Sequence, residues 1–145
     1  MVKQLQRAAA TLPMVLGLAL LALAPSLIAK QPLTAETMWE LKRLSAPAVS
    51  PDGRHTVVAV ATNDRKKDQA STVLWLFDNA SGASRPLTAE GVNSVNPVWS
   101  PDGSRILFES KRGDDEVNQL YVIALGGGEA TRVTRIPTGA SKAQW

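Results

Sequence analysis

The sequence predicts an all-β chain: a partial β-propeller of two four-stranded blades plus the start of a third, after a signal peptide and a short helix. Three observations carry this prediction. The tetrapeptide Ser-Pro-Asp-Gly occurs twice, at 50–53 and at 100–103. Strand-like runs follow each copy in the same order. The period, between 46 and 50 residues, is that of a propeller blade, in which four short strands repeat radially. A β-sandwich of two similar halves is the alternative, disfavoured because turn, strand order and period recur together.

The first element is an export signal. Lys3 and Arg7 precede the uncharged, Leu- and Ala-rich run Met14–Ala24, Pro25 breaks it, and Leu27-Ile28-Ala29 ends on a small residue before Lys30. This layout predicts a signal peptide over residues 1–29 with cleavage after Ala29, and so an exported, periplasmic or secreted protein. The apolar run is too short to span a bilayer as a mature helix. An uncleaved anchor is the alternative reading of the same segment.

Cleavage changes the charge argument. The whole chain has 16 basic and 13 acidic residues, a formal charge of +3. Without Lys3 and Arg7, 14 basic side chains face 13 acidic ones, and no basic stripe interleaved with aromatics is left for nucleic acid. The chain has no cysteine and one histidine. Disulfide scaffolds, thiol catalysis and cysteine- or multi-histidine-ligated metal are thereby excluded.

Residues 30–45 form a linker and a short helix. Thr34 suits the N-cap, Glu36 and Glu40 lie toward the positive end, and Leu33 and Met38 fit a hydrophobic staple. Met38, Leu41 and Leu44 form one apolar face with Trp39 beside it, and the helix is expected to stop before Pro47. The expected role is packing, closing one end of the domain.

The repeats occupy 46–145: blade 1 about 46–90, blade 2 about 95–134, and the start of blade 3 at 135–145. Ala46-Pro47-Ala48-Val49-Ser50-Pro51-Asp52-Gly53 is echoed by Asn96-Pro97-Val98-Trp99-Ser100-Pro101-Asp102-Gly103 at an offset of 50. Val73–Asp78 is echoed by Gln119–Ala124 at an offset of 46, because the loop around 63–71 is four residues longer than that around 111–117. Surface loops tolerate such changes. Pro presets φ at the second position of a type I turn and Gly suits the fourth. The flanking β-branched and aromatic residues read as strands. Trp145 stands 46 residues after Trp99. Two blades and a stub are expected to leave sheet edges and blade faces open, and so to be poorly stable alone.

The second repeat, from Pro97-Val98-Trp99-Ser100-Pro101-Asp102-Gly103 through Asn118–Thr134, resembles the Trp-Ser-Pro-Asp-Gly repeats of TolB-like propellers and of the N-terminal propeller of prolyl oligopeptidase family serine peptidases. The first repeat is looser, with Val49 where Trp99 stands. The segment Leu33–Trp39 followed by Leu44–Gly53 is similar to the start of exported dipeptidyl-peptidase or acylaminoacyl-peptidase-like members, whereas TolB-like proteins place an α/β domain ahead of the propeller. The resemblance to the peptidases implies proteolysis of short peptides, with the propeller gating access to a C-terminal α/β-hydrolase domain absent from this chain. The alternative it leaves open is a TolB-like, non-catalytic protein-binding module.

Residue by residue, no catalytic, cofactor-binding or metal-binding position emerges, and no cofactor is expected. Gly139-Ala140-Ser141-Lys142-Ala143 lacks the final Gly of a nucleophile elbow. His55 follows a hairpin turn and reads as a solvent-facing strand residue. Asp52 and Asp102 lack the alternating carboxylates of a calcium loop and are explained by the turn. Gly126-Gly127-Gly128 has no following Gly-Lys-Ser/Thr and reads as a hairpin. Asp114-Asp115-Glu116 and Arg65-Lys66-Lys67 read as solvated loop tips.

Overall fold

A computed structural model describes residues 33–65 and 67–145; the expected signal peptide at 1–29 lies outside the described residues. Helix α1 is Ala35–Glu40. Thr34 caps it by accepting from the Thr37 N–H at 3.3 Å, and the Thr37 hydroxyl oxygen accepts the Thr34 N–H at 2.8 Å. This is a capping box with threonine at both positions, and Glu36 lies in its first turn.

The helix is shorter than its apolar spacing suggested. Leu41 is already extended, and Leu44 belongs to strand β1, Arg43–Val49. A six-residue helix barely repays its nucleation, whereas from Arg43 onward the backbone gains a ladder with β2, beginning with Arg43 opposite Ala61. Leu33, Met38, Trp39, Leu41 and Leu44 are all exposed. The staple and the domain-closing role expected of this helix are therefore not what its side chains do.

Among the described residues, eight strands follow as two sheets of four. The first is β1, β2 (His55–Asp64), β3 (Gln69–Asp78) and β4 (Ser84–Pro86). The second is β5 (Ser94–Trp99), β6 (Arg105–Ser110), β7 (Gln119–Ala124) and β8 (Thr131–Arg132). Each is antiparallel in simple sequential order, so each blade comes from one continuous run of chain. Pro47 and Pro97 sit at matching register irregularities, between Ser45 and Ala48 in β1 and between Val95 and Val98 in β5. A strand proline without an N–H is accommodated at such a break. The outer strands are the shortest, and β4 carries Arg85 and Pro86, both of which discourage further edge pairing.

The two Ser-Pro-Asp-Gly turns are near copies. Gly53 and Gly103 donate to the Ser50 and Ser100 carbonyls, each at 2.9 Å. Their φ values of 71° and 69° are those a glycine adopts without strain. The Ser50 and Ser100 hydroxyls donate to Asp52 and Asp102 at 2.6 Å and accept the N–H of His55 and Arg105 at 2.9 Å. Two residues past the outer strands, Thr88 and Thr134, 46 residues apart, accept the N–H of Leu74 and Leu120 at 3.0 and 2.9 Å.

The core lies between the sheets. Val57, Ala59, Leu74 and Leu76 of the first meet Ile106, Phe108, Tyr121 and Ile123 of the second, with Leu87 and Trp99 in the same cluster. The Trp99 indole donates to the Ala48 carbonyl at 2.8 Å, fastening β5 onto β1. Residues 135–145 carry no strand but lie along the second sheet. Lys142 N–H donates to Glu109 at 2.8 Å, and the Trp145 indole donates to the Val98 carbonyl at 3.2 Å. Val98 precedes Trp99 as Ala48 precedes Val49, so Trp145 seats on the second blade as Trp99 seats on the first.

Candidate functional site

Antiparallel order places the connections of the two blades at two ends. One end bears the Ser-Pro-Asp-Gly turns and the β3–β4 and β7–β8 hairpins. The Asn79 side chain ties them by donating to the Gly53 carbonyl at 2.8 Å. Asp52 and Asp102 are spent on turn bonds. The Ser50 hydroxyl, then the Arg54 N–H, lowers the Asp52 carboxyl below its ordinary value. Asp102 is held at about 2 by the Ser100 hydroxyl, the Ser104 N–H and the Ser104 hydroxyl. Gly127 and Gly128, with φ of 91° and 107°, form the predicted β7–β8 hairpin.

His55 is less solvent-facing than its position after a turn suggests. Its side chain is only 25% exposed, its Nε2 stands 3.9 Å from Asp78, and its ring centroid is 6.4 Å from that of Trp99. Direct pairing of His55 with Asp78 across β2 and β3 brings the two side chains together. Among the described residues no serine hydroxyl is bonded to its imidazole, Ser50 accepting only the His55 backbone N–H, and Ser141 is exposed in the 135–145 segment. Among the described residues, no group of His, Asp and Glu is arranged to hold a metal ion, and no helix is long and apolar enough to cross a membrane.

The opposite end bears the β2–β3 and β6–β7 connections and the linker 87–93. Here a cleft of about 950 Å³ is lined by Thr62, Arg65, Lys67, Gln69, Glu90 and Asn93, among others. Asn93 holds its floor, its side-chain oxygen accepting the Thr72 N–H at 2.9 Å. Beyond it, the β6–β7 loop folds back on its own blade. Asp115 is ion-paired with Arg132 and accepts a hydrogen bond from Tyr121, and its side chain is 3% exposed. The Tyr121 hydroxyl, foremost, and Arg132 lower the Asp115 carboxyl, while burial and then Asp115 raise the Tyr121 phenol. Asp115 is thus an internal anion rather than part of a solvated tip; Asp114 and Glu116 are exposed. The sequence signal for this was present but long-range, an Asp and an Arg 17 residues apart on a loop and an outer strand.

Beside this pair, Arg112 lies over the Phe108 and Tyr121 rings, 5.3 Å from each centroid. Its Nε and Nη2 donate to the Ser110 and Ser94 hydroxyls at 3.0 and 3.2 Å. Nothing local in the sequence distinguishes Arg112 from Lys111 next door.

The PD40 family, described as the TolB beta propeller domain, matches residues 36–145. An uncharacterized peptidase of Bacillus subtilis, YuxL, is 34% identical over 116 residues, which are 80% of this chain and 18% of that protein. The Tol-Pal system protein TolB of Anaeromyxobacter dehalogenans is 35% identical over 94 residues, 65% of this chain and 20% of that protein. The acylaminoacyl peptidase of Pyrococcus horikoshii superposes with a TM-score of 0.56 at 18% identity, over 68% of this chain and 15% of that one, a likeness of fold. The matched part of this chain therefore spans a fifth or less of the length of each.

Proposed function

Since the chain belongs to the TolB β-propeller family of PD40 repeats, we propose that it forms the N-terminal propeller segment of an exported serine peptidase acting on short peptides. In this reading 46–90 and 95–134 are the first two blades and 135–145 opens the third. Catalysis resides in an α/β-hydrolase domain encoded beyond this chain, through acyl-enzyme chemistry at a serine. The chain itself supplies wall: two rigid blades and a polar cleft that limit what reaches the catalytic domain. The observation carrying this reading is the 34% identity to a peptidase across most of the chain.

The test is to express the whole reading frame that contains this chain and treat it with a fluorescent fluorophosphonate probe. The full product is expected to label, and residues 1–145 alone are not. A frame that continues into blades without any Gly-x-Ser-x-Gly segment sinks the peptidase reading. The 35% identity to a TolB protein supports the second reading, a non-catalytic module that binds envelope proteins. Affinity capture of such proteins, with no hydrolase domain encoded, favours it.

A further inference from the structure

We propose that Arg112 is a preformed receptor for a peptide carboxylate, at the end of the blades where the β2–β3 and β6–β7 connections meet the linker 87–93. The proposal rests on the reading of this propeller as one that handles short peptides, and names the group it recognises. The guanidinium is fixed by four neutral contacts: the hydroxyls of Ser94 and Ser110, both essentially fully buried, and the rings of Phe108 and Tyr121. The protons of those serines are directed elsewhere, to the Val92 and Asn93 carbonyls, so their oxygens serve the arginine as acceptors. Among the described residues no carboxylate is ion-paired with the Arg112 guanidinium, Asp115 accepting from Arg112 only the backbone N–H at 3.3 Å, and the Nη1 has no hydrogen-bond partner. Arg132 next to it is the contrast, paired with both Asp115 and Asp114.

A structural arginine in a half-buried position is ordinarily neutralised, because an unpaired charge loses hydration without compensation. Arg112 instead keeps a planar, oriented donor edge open, with its rotamer already ordered. That arrangement lowers the entropic cost of binding a planar anion. A carboxylate matches the fork. Arg112 is also joined to the cleft: it donates to Ser110, whose hydroxyl donates at 2.7 Å to the backbone carbonyl of Asn93, a cleft residue. Arg65 and Lys67 line that cleft beside Asp64 and Glu90, and Lys67 pairs with Asp64 at 3.6 Å, so the cleft lining is balanced in charge and the anion preference rests on Arg112. In this proposal a short peptide held at this end of the blades presents an acidic group to Arg112.

Isothermal titration of the full chain tests this, using an N-acetylated neutral tripeptide as its free acid, its C-terminal amide, and an amide carrying one glutamate. At least one acid form is expected to bind about tenfold or more tightly than the neutral amide, the range for a hydrogen bond to a charged group, and to weaken with added salt. The form preferred identifies the source as chain terminus or side chain. Arg112→Lys is expected to abolish most of the preference while its thermal unfolding matches that of the unaltered chain. Equal binding of acid and amide by the unaltered chain, binding of neither, or undiminished preference in R112K each overturns the proposal. The first comparison needs no variant. Carboxylate preference without hydrolysis by the longer protein sinks the peptidase reading and leaves this site; hydrolysis indifferent to carboxylate does the reverse.

Discussion

The two blades share a frame and differ at one end. From the Ser-Pro-Asp-Gly turn to the threonine two residues past the outer strand, the bonds of the two blades match closely. At the other end they part. In blade 1 the β2–β3 ladder runs without interruption from His55 opposite Asp78 to Asp64 opposite Gln69. In blade 2 the ladder stops at Ser110 opposite Gln119, and the eight residues between fold inward around Asp115 and Arg112. The turn end is held alike in both blades, whereas the opposite end diverges. The divergent end also carries the cleft and the contacts of Asp115 and Arg112.

The largest difference between blades should come from their stacking residues. Trp99 is 7% exposed and fastened to Ala48, while its counterpart Val49 is 60% exposed. Trp99→Val removes buried aromatic surface and leaves the Ala48 carbonyl without its donor, at a cost of about 3 kcal/mol or more. The reciprocal Val49→Trp should stay within about 0.5 kcal/mol. Urea titrations of both variants check this; equal effects would show that the blades do not stack through this residue.

Next in size is the inward-folded loop, which blade 1 lacks. Asp115→Asn removes the charge that pairs with Arg132 and the acceptor best suited to Tyr121. Thermal stability should fall. The phenol, raised in the folded chain by burial and by Asp115, should titrate at lower pH while remaining above its ordinary value, because burial persists. The chain has one tyrosine, so an ultraviolet absorbance titration reads it directly. An unmoved phenol titration would place Asp115 outside the cluster in solution.

This contrast also explains how much could be read in advance. The frame was legible because it is local: Pro51 and Gly53 dictate their turn, and Val57 and Leu76 alternate as strand residues do. The repeat carried the rest of the architecture by echo, down to Trp145. Helix α1 was read too long because spacing at Met38, Leu41 and Leu44 does not register that Arg43 has a ladder partner at Ala61. The inward loop was missed for a related reason. Whether Asp115 faces water depends on Arg132, and whether Arg112 is ordered depends on Ser94, Ser110 and two rings from separate strands. Neither has a local pattern.

The smallest expected effect sharpens the frame itself. The two turns differ at the carboxylate: the Ser104 hydroxyl donates to Asp102 at 2.8 Å, where blade 1 has Arg54 paired with Asp52 at 3.7 Å. Both carboxyls are lowered, and that of Asp102 reaches about 2 from an ordinary 3.8. A lowered carboxyl pKa stabilises the folded chain above the unfolded value, and that stabilisation disappears as pH falls from about 3.8 toward 2. Ser104→Ala removes one of the bonds responsible. The variant should be slightly less stable than the parent at pH 7, and the gap should close on acidification through this window, where Asp102 is protonated in both. Urea titrations at neutral pH and at the bottom of the window check the sign. A gap that persists or widens in acid would mean that Ser104 acts through packing of the turn and not through the charge on Asp102, and that the two Ser-Pro-Asp-Gly turns are electrostatically equivalent after all.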